Sequence, residues 1–271
     1  MKNNFTLLFF FVLASFSNCI SQSNTDINKS YKKFIGYKNT NPVFWNEATN
    51  DILIYQIDNK QITILKALSE NYIPLDIQED FEVYLIKGNK KTLIIKKGNK
   101  EVIIDVSIYN GYAFCNENNT LYVSHYEKDR ELNASQIFAI DINNKNPLNT
   151  GLKGRVDKII GHYLVFYKET DPTIADTSYD LFYSDVNNIY ENILFKKLNL
   201  AINYQVSPEF KYFFGFGTMS PAVIINIDNM KKNKIEIKLN SDNPPFFTFN
   251  NESLVFYDPQ SLSFRIVKIE F

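Results

Sequence analysis

The sequence predicts an all-β protein and, within that class, a β-propeller of five or six blades. Apolar runs of five to eight residues recur from Val43 to the C-terminus, separated by Asn, Asp, Gly and Pro. A strand that ends in Asp and then Asn also recurs, and Asp141, Asp185 and Asp228 are spaced by 44 and 43 residues. A repeat of about 40 to 45 residues with three or four short strands is typical of propeller blades. A β-sandwich with a similar number of strands is the alternative.

Two hairpins are predicted first along the chain. The runs 52–57 and 61–65 flank Asp58-Asn59-Lys60, and the runs 92–95 and 102–106 flank Gly98-Asn99. Turn residues between two apolar runs indicate a β-hairpin. Seven further runs are predicted as strands: 121–126, 136–140, 163–167, 180–183, 212–216, 222–227 and 253–257. A helix is considered only for Ile189–Leu200.

The repeated Asp residues have two interpretations. Asp58, Asp141, Asp185 and Asp228 each follow an apolar strand, and Asp105 falls between the first two. Asp after a strand stabilises a turn by accepting hydrogen bonds from nearby backbone, which explains the repeat without any ligand. A ring of metal-binding or catalytic Asp residues is the alternative.

One segment resembles a known family. Val206-Ser-Pro-Glu-Phe-Lys-Tyr-Phe213 resembles the Ser-Pro-Asp-Gly-Lys-Tyr turn-and-strand element of WD40-like repeats of the TolB type, with Phe210 where that element has glycine. The resemblance covers about eight residues and the repeat length. It implies a propeller fold and carries over no functional residues.

The N-terminus predicts export. Lys2 is followed by an apolar run from Phe5 to Phe16, which is typical of a signal peptide over residues 1–18. A membrane-spanning helix needs about 20 apolar residues, so this run is too short for one. Phe16-Ser-Asn-Cys19 resembles the bacterial lipobox, which implies acylation of Cys19, although Phe16 and Asn18 depart from the pattern. Ordinary cleavage after Ser17 is the alternative.

The domain boundaries follow from this reading. Residues 19–30 are polar and turn-prone, as expected for a tether, and residues 31–271 are predicted to form one propeller-like domain.

The formal net charge is −1 and no basic stripe is present, which argues against a nucleic-acid partner. Membrane contact is expected only through the N-terminal lipid, and the protein is expected to be a monomer.

No catalytic or cofactor motif is present. The chain lacks a Gly-x-Ser-x-Gly elbow and a phosphate-binding glycine loop, and its two histidines, His125 and His162, lie in strand-like runs. Cys115 is expected to be a buried small hydrophobic residue. We therefore expect no cofactor, no metal and no assigned catalytic residue. Carboxylates cluster in two stretches, Asp76–Glu82 and Glu169–Asp180.

These observations predict a cell-envelope binding module with a protein or glycan partner. The loop residues chosen as candidate contacts are Lys128, Asp129, Arg130, Glu131, Asp171 and Asp176. One alternative is a glycan-acting hydrolase or lyase that uses carboxylates in a propeller funnel. Another is an immunity-type protein that neutralises a toxin.

Overall fold

The described part of the protein consists of short antiparallel strands. The computed structural model describes residues 32–88, 91–125, 135–169, 178–199, 202–217, 222–235, 245–258 and 263–270. These ranges contain 23 strands and no helix. The prediction of an all-β protein is therefore confirmed.

The first eight strands form two blades of four strands each. Their sheet has the order β4-β3-β2-β1-β5-β6-β7-β8, but the contact between β1 and β5 is parallel and consists of one residue pair, Gly36 and Ile77. We therefore treat β1–β4 as blade 1 and β5–β8 as blade 2. The strands are β1 (Lys32–Lys38), β2 (Asn41–Asn46), β3 (Asp51–Gln56), β4 (Gln61–Ala67), β5 (Tyr72–Ile77), β6 (Phe81–Ile86), β7 (Thr92–Lys97) and β8 (Lys100–Asp105).

The remaining strands form four separate sheets in chain order. Blade 3 contains β9 (Tyr109–Cys115), β10 (Thr120–His125), β11 (Gln136–Asp141) and β12 (Pro147–Lys153). Blade 4 contains β13 (Arg155–Ile160), β14 (Tyr163–Glu169), β15 (Ser178–Asp185) and β16 (Asn188–Asn199). Blade 5 contains β17 (Ile202–Val206), β18 (Tyr212–Gly217), β19 (Ala222–Asn226) and β20 (Lys232–Ile235). Blade 6 contains β21 (Phe246–Phe247), β22 (Ser253–Asp258) and β23 (Ser263–Lys268).

Six apolar clusters join these blades into a closed ring. Each cluster contains buried residues from two consecutive blades, and the sixth joins blade 6 to blade 1. A small sheet cannot bury both of its apolar faces alone, so each blade needs a neighbour on either side. The structure is a six-bladed propeller, and the alternative of a β-sandwich is wrong.

Aromatic side chains close the ring between blades 6 and 1. Phe34 stacks on Phe246 with ring centroids 5.2 Å apart, and Tyr55 contacts Phe264 at 4.5 Å. Phe44 contacts both of the blade 6 rings, at 5.1 Å and 5.3 Å. Aromatic pairs of this kind contribute about 0.5–1.5 kcal/mol beyond their buried area. The ends of the described chain are therefore held together by side-chain packing.

The first strand of every blade lies next to the central axis. Adjacent first strands approach so closely at Gly36 that a Cβ atom there would lie 2.2 Å from the carbonyl oxygen of Ile77. The turns between first and second strands all lie on one face, because each blade is antiparallel and starts in the same direction. We call this the mouth face, and the other the opposite face.

The turn interpretation of the Asp repeat is confirmed at Asp141 and Asp185. Asp141 Oδ1 accepts a hydrogen bond from the Asn143 backbone N–H at 2.8 Å, and Asp185 Oδ1 accepts one from Asn187 at 2.8 Å. Both turns join the third strand of a blade to the fourth, as do the turns at Asp58 and Asp228. Asp105 instead ends a fourth strand, so it is out of phase with the repeat.

One prediction of secondary structure is wrong. The stretch Ile189–Leu200, considered as a helix, lies almost entirely in β16, which pairs with β15. Its pattern is irregular because β16 is an outer strand with register shifts against β15. The predicted strands at the other positions are present, and both predicted hairpins are confirmed as β3–β4 and β7–β8.

The TolB-like segment forms the turn between β17 and β18. The buried hydroxyl of Ser207 accepts hydrogen bonds from the backbone N–H of Lys211 at 3.0 Å and of Tyr212 at 2.9 Å. Phe210 has a φ of 58°, which is the left-handed conformation that glycine adopts without strain. Its ring is buried against Tyr163 and Tyr183, with centroids 4.4 Å and 4.9 Å away. The packing between blades 4 and 5 therefore compensates for an unfavourable backbone.

We predict that Phe210→Gly is more stable than Phe210→Ala, which reverses the usual order of these two residues. Both variants lose the ring, at a cost of about 3–5 kcal/mol. Only alanine retains the strain of the left-handed backbone, so glycine should be better by about 1 kcal/mol. Urea unfolding of both variants measures this difference. Phe213→Gly and Phe213→Ala, in the adjacent strand, are the control pair and should show alanine as the more stable; the same order at Phe210 would contradict the interpretation.

Candidate functional site

The candidate site is the central channel at the mouth face. It has a volume of about 940 Å³ and is lined by the first strands of all six blades and the turns that follow them. Cavities of about 300–1,000 Å³ are typical of sites that take a small ligand or a short segment. Every blade contributes to the wall, so the channel exists only when the ring of six blades is closed.

Acidic residues dominate the charged groups of this wall. Among the described residues of the wall Lys158 is the one basic side chain, whereas the whole chain has 30 acidic and 29 basic residues. The carboxylates that line it are Asp76, Glu79, Asp80, Glu117, Asp157 and Glu209. A cleft with walls of low dielectric and one sign of charge concentrates counterions. The channel is therefore built to attract cations.

Asp76 is the most perturbed carboxyl of the channel. It follows a bulge in β5 between Pro74 and Asp76, and it lies beside Gly36 of blade 1. Gln78 Nε2 donates a hydrogen bond to Asp76 Oδ1 at 2.8 Å. Burial raises the pKa of Asp76 to about 7, and the hydrogen bonds from Gln78 and from the backbone of Ile77 only partly oppose this. Near neutral pH this carboxyl can accept or release a proton.

Asp157, unlike Asp76, contacts a lysine and a tyrosine hydroxyl. It is the bulged residue of β13, and it accepts a hydrogen bond from the hydroxyl of Tyr204 in blade 5. The Lys158 ammonium lies 3.5 Å from Asp157 Oδ2 and 4.3 Å from the centroid of the Tyr204 ring. Burial and the neighbouring Asp157 charge raise the pKa of Tyr204 well above its usual value, so Tyr204 acts as a donor and not as a base. These contacts join blades 4 and 5 at the axis.

Aromatic residues line the blade 1 and blade 6 side of the mouth. The Phe249 side chain is 44% exposed and contacts the ring of Tyr37, with centroids 5.5 Å apart. The Tyr37 hydroxyl donates a hydrogen bond to the Phe247 carbonyl oxygen at 2.6 Å, and burial raises its pKa. The mouth therefore offers an exposed ring next to carboxylates, an arrangement that suits cationic or amphipathic side chains.

Two amide groups near the mouth are incompletely satisfied. Asn116 Oδ1 lines the channel wall and is buried without a hydrogen-bond partner in the described residues. Asn251 is 3% exposed; its Oδ1 accepts from the Glu209 backbone at 3.2 Å, but its Nδ2 is buried without a partner there. Buried polar atoms of this kind are rare in folded proteins.

The loop residues predicted from sequence are not tested by the structure. Lys128, Asp129, Arg130, Glu131, Asp171 and Asp176, together with Cys19, lie outside the described residues. The described ends of the flanking strands, His125 and Gln136 in blade 3 and Glu169 and Ser178 in blade 4, lie at the opposite face.

The other candidates have structural roles. Cys115 is fully buried between blades 3 and 4, as predicted, and burial raises its pKa. His125 contacts the rings of Tyr109 and Phe138, and His162 Nε2 lies 3.9 Å from Asp185 Oδ2.

Within the described ranges no three His, Cys, Asp or Glu side chains are grouped as a metal site. The same ranges contain no helix that could span a membrane.

Sequence reasoning found part of the site as a carboxylate cluster. Of the stretch Asp76–Glu82, the residues Asp76, Glu79 and Asp80 line the channel, whereas Glu82 pairs with Lys66 at 3.0 Å outside it. Asp157, Glu117 and Glu209 were missed. Each of these three residues lies in the first strand of a blade or directly after it. This position can be recognised only when the sequence has been divided correctly into blades.

We predict that the Asp76 carboxyl makes the fold less stable as the pH rises from about 4 to about 7. Its pKa is raised in the fold, so folding favours the protonated form, and this contribution is present at low pH and lost as the pH passes about 7. In Asp76→Asn this loss disappears, and the stability of the variant relative to wild type should increase between about pH 4 and pH 8. Urea unfolding across this range measures the effect.

Asp80→Asn, which removes a carboxyl from an exposed position in the same wall, is the matched control for the loss of a carboxyl as such. Parallel profiles for wild type and Asp76→Asn would show that Asp76 ionises normally in the fold.

Comparison with solved structures supports the propeller fold. TolB from Acinetobacter baumannii is similar with a TM-score of 0.54 and 14% identity, over 84% of this chain and 63% of that chain. The Cps50 (Swd1) β-propeller domain of Myceliophteria thermophila gives a TM-score of 0.59 and 7% identity, over 89% of this chain and 97% of that chain. An oligogalacturonate lyase from Vibrio parahaemolyticus gives 0.52 and 10%, over 88% and 89%. No family model and no curated protein matches the sequence. At these identities the similarities show the fold alone, and they agree with the TolB-type resemblance of Val206–Phe213.

Proposed function

We propose that the protein is an exported binding module that receives a cationic segment of a protein partner in the mouth of its central channel. The observation that carries this proposal is the charge of the channel wall, where the described residues include six acidic side chains and one lysine in a chain whose formal net charge is −1. A field of one sign in a narrow cleft raises both the local concentration and the association rate of an oppositely charged ligand.

The shape of the site supports a short segment as the ligand. A volume of about 940 Å³ holds several side chains but not a folded domain. The exposed Phe249 ring beside the carboxylates gives the aliphatic part of a Lys or Arg side chain an apolar surface. A loop or terminus that carries Lys or Arg fits both features.

The location of the protein forms part of the same proposal. The signal peptide directs the chain across a membrane, and acylation at Cys19 would hold it at the cell envelope. Lys128–Glu131 and Asp171–Asp176, which lie outside the described residues, are proposed as a second set of contacts. Neutralisation of a toxin, the immunity-type alternative, is a special case of this binding function.

We predict that removing charge at the mouth weakens binding of a cationic peptide. The triple variant Glu79→Gln, Glu117→Gln, Glu209→Gln should bind a lysine-rich peptide about tenfold more weakly at low salt, since each exposed charge pair contributes about 0.5 kcal/mol. Isothermal titration calorimetry at several salt concentrations measures this, and the wild-type affinity should fall as salt increases.

The control variant, Glu47→Gln, Asp51→Asn, Glu70→Gln, removes the same formal charge on the opposite face and should bind like wild type. Equal loss in both variants would indicate a general charge effect. No binding to the wild-type protein, or equal binding of a glutamate-rich peptide, would contradict the proposal.

We predict that the mature protein from the native host begins at Cys19 and is found in the membrane fraction. Acylation adds a diacylglyceryl group to the Cys19 Sγ, so the intact mass should exceed that of residues 19–271 by the mass of that lipid. Mass spectrometry of the membrane and soluble fractions measures this. A soluble, unmodified chain cut after Ser17 would remove the anchor from the proposal and leave the channel site unaffected. Cys19→Ser is the matched variant and should lose both the added mass and the membrane fraction.

One observation favours a glycan-acting enzyme as a second candidate. The channel wall contains a carboxyl with a raised pKa, Asp76, and a carboxylate paired with a lysine, Asp157. Two carboxyl groups that flank a glycosidic bond can act on it as general acid and as base or nucleophile. Turnover of a polysaccharide that is abolished in Asp76→Asn, with the fold intact, would favour this function over binding alone.

A further inference from the structure

We propose that a notch between blades 4 and 5, on the mouth face beside the channel, is a subsite for one arginine side chain of the partner segment. The notch has a volume of about 260 Å³, which suits a single side chain. The inference rests on the cationic segment proposed above. It adds which residue that segment places outside the channel and which groups select it.

Three aromatic rings form the apolar part of the notch. Tyr163 and Tyr183 of blade 4 meet nearly at right angles, with ring centroids 5.8 Å apart and an interplanar angle of 80°. The buried ring of Phe210 lies against both, at 4.4 Å and 4.9 Å. Both tyrosines are only partly buried. A guanidinium can stack on such a ring while its aliphatic stem covers the adjacent one.

The carboxylate of Asp228 at this notch is not used by its own turn. Asn226 Oδ1 accepts hydrogen bonds from the backbone N–H of Asp228 at 3.0 Å and of Asn229 at 3.4 Å. At Asp141 and Asp185 the aspartate itself accepts the bond that holds the turn. Asn226 thus replaces Asp228 as the acceptor of this turn, and the exposed Asp228 side chain lines the notch.

Two carboxylates give the notch its charge. Glu209 and Asp228 both line it, and neither forms a salt bridge within the described part of the chain. Lys211 also lines it, but its ammonium lies over the ring of Tyr212, 5.3 Å from the centroid. Burial raises the pKa of Tyr183, and the charges of neighbouring groups that include Asp228 raise it further. A cation that stacks on Tyr183 is therefore also close to a carboxylate.

Glu209 connects the notch to the channel. It lines both cavities, and Asn251 Oδ1 accepts a hydrogen bond from its backbone N–H at 3.2 Å. A segment that places one cation among the channel carboxylates can therefore cross Glu209 and place the next in the notch. Arginine is preferred to lysine there, because its guanidinium is planar, presents a fork of N–H donors to a carboxylate and is less strongly hydrated.

The notch is tested first with single residues. N-acetyl-arginine amide, titrated at millimolar concentration into ¹⁵N-labelled mature protein, should shift the NMR signals of Tyr183 and Asp228. N-acetyl-lysine amide should shift them less. Asp228→Asn should weaken binding of the arginine amide about threefold, which is the effect of one exposed charge pair.

Asp58→Asn is the matched control. Asp58 occupies the same position in the third-to-fourth turn of blade 1, on the same face, and does not line the notch. The two turns are built alike: Asn59 Oδ1 accepts from the Gln61 backbone N–H at 3.1 Å, and Asn229 Oδ1 accepts from that of Lys231 at 2.9 Å. The control removes the same charge and should bind both amides like wild type.

Two peptides of equal length and charge, one with arginine and one with lysine, then test the link to the channel by calorimetry. Wild type should bind the arginine peptide about fivefold more tightly, as expected for one additional cation–π contact. Asp228→Asn should reduce this preference and change the affinity for the lysine peptide little.

Three outcomes would overturn the proposal: no shifts at the notch with arginine amide, equal shifts with lysine amide, or an unchanged arginine preference in Asp228→Asn. Binding of arginine amide at the notch without binding of either peptide would instead refute the cationic segment of the proposed function and leave the notch as an arginine site. Failure of the notch and failure of the channel are therefore distinguished.

Discussion

The need of each blade for a neighbour on both faces is the constraint on which the rest of the structure depends. Strands such as β7, with Leu93, Ile94 and Ile95 all buried, have apolar side chains on both sides of the sheet. Those side chains reach water unless another blade covers them, at a cost of about 25 cal/mol per Å². Six apolar clusters meet this need in sequence, and the last returns to blade 1. A channel at the axis follows from this geometry, since flat sheets arranged around a ring leave an open centre.

Crowding at the axis then decides which residues can line the channel. First strands touch one another where glycine allows it, as at Gly36 beside Ile77 and at Gly111, where a Cβ would lie 2.2 Å from the Val156 carbonyl oxygen. The first strands of blades 1 to 4 also contain bulges. A bulge turns one side chain away from the alternation of the strand. Asp157 is such a residue, and the bulge in β5 lies directly before Asp76. Polar groups can therefore line a wall whose flanks are apolar.

The sequence was sufficient for the fold because local chemistry repeats in every blade. Turn-forming Asp and Asn after apolar strands predicted the third-to-fourth turns at Asp141 and Asp185, since those side chains bond their own turn backbone. The first strands were harder to assign, because bulges in β1, β5, β9 and β13 break the alternation that identifies a strand. Phe210 shows a further limit: its left-handed backbone is stabilised by rings of blade 4 that lie more than 25 residues away in sequence. The channel residues Asp157 and Tyr204, likewise, come together only through the packing of blades 4 and 5. Contacts of this kind depend on how neighbouring blades are aligned with each other, and no local sequence pattern predicts that alignment.

The residues that line the channel also make contacts between the blades that close the ring, and this couples ligand binding to the stability of the ring. The Tyr37 hydroxyl bonds the Phe247 carbonyl across the junction of blades 1 and 6, and the same ring supports the exposed Phe249 at the mouth. Asp76 likewise lies against Gly36, at the junction of blades 1 and 2. Blade 1 therefore supports channel groups on both of its sides, and its own position depends on side-chain packing with blade 6. A ligand that adds contacts to Phe249 or Asp76 also stabilises these junctions, because ligand binding to the closed ring shifts the equilibrium away from open forms. Ligand binding in the channel and closure of the ring are consequently coupled. Contacts that stabilise the junction of blades 6 and 1 also hold the mouth in the shape that its ligand requires.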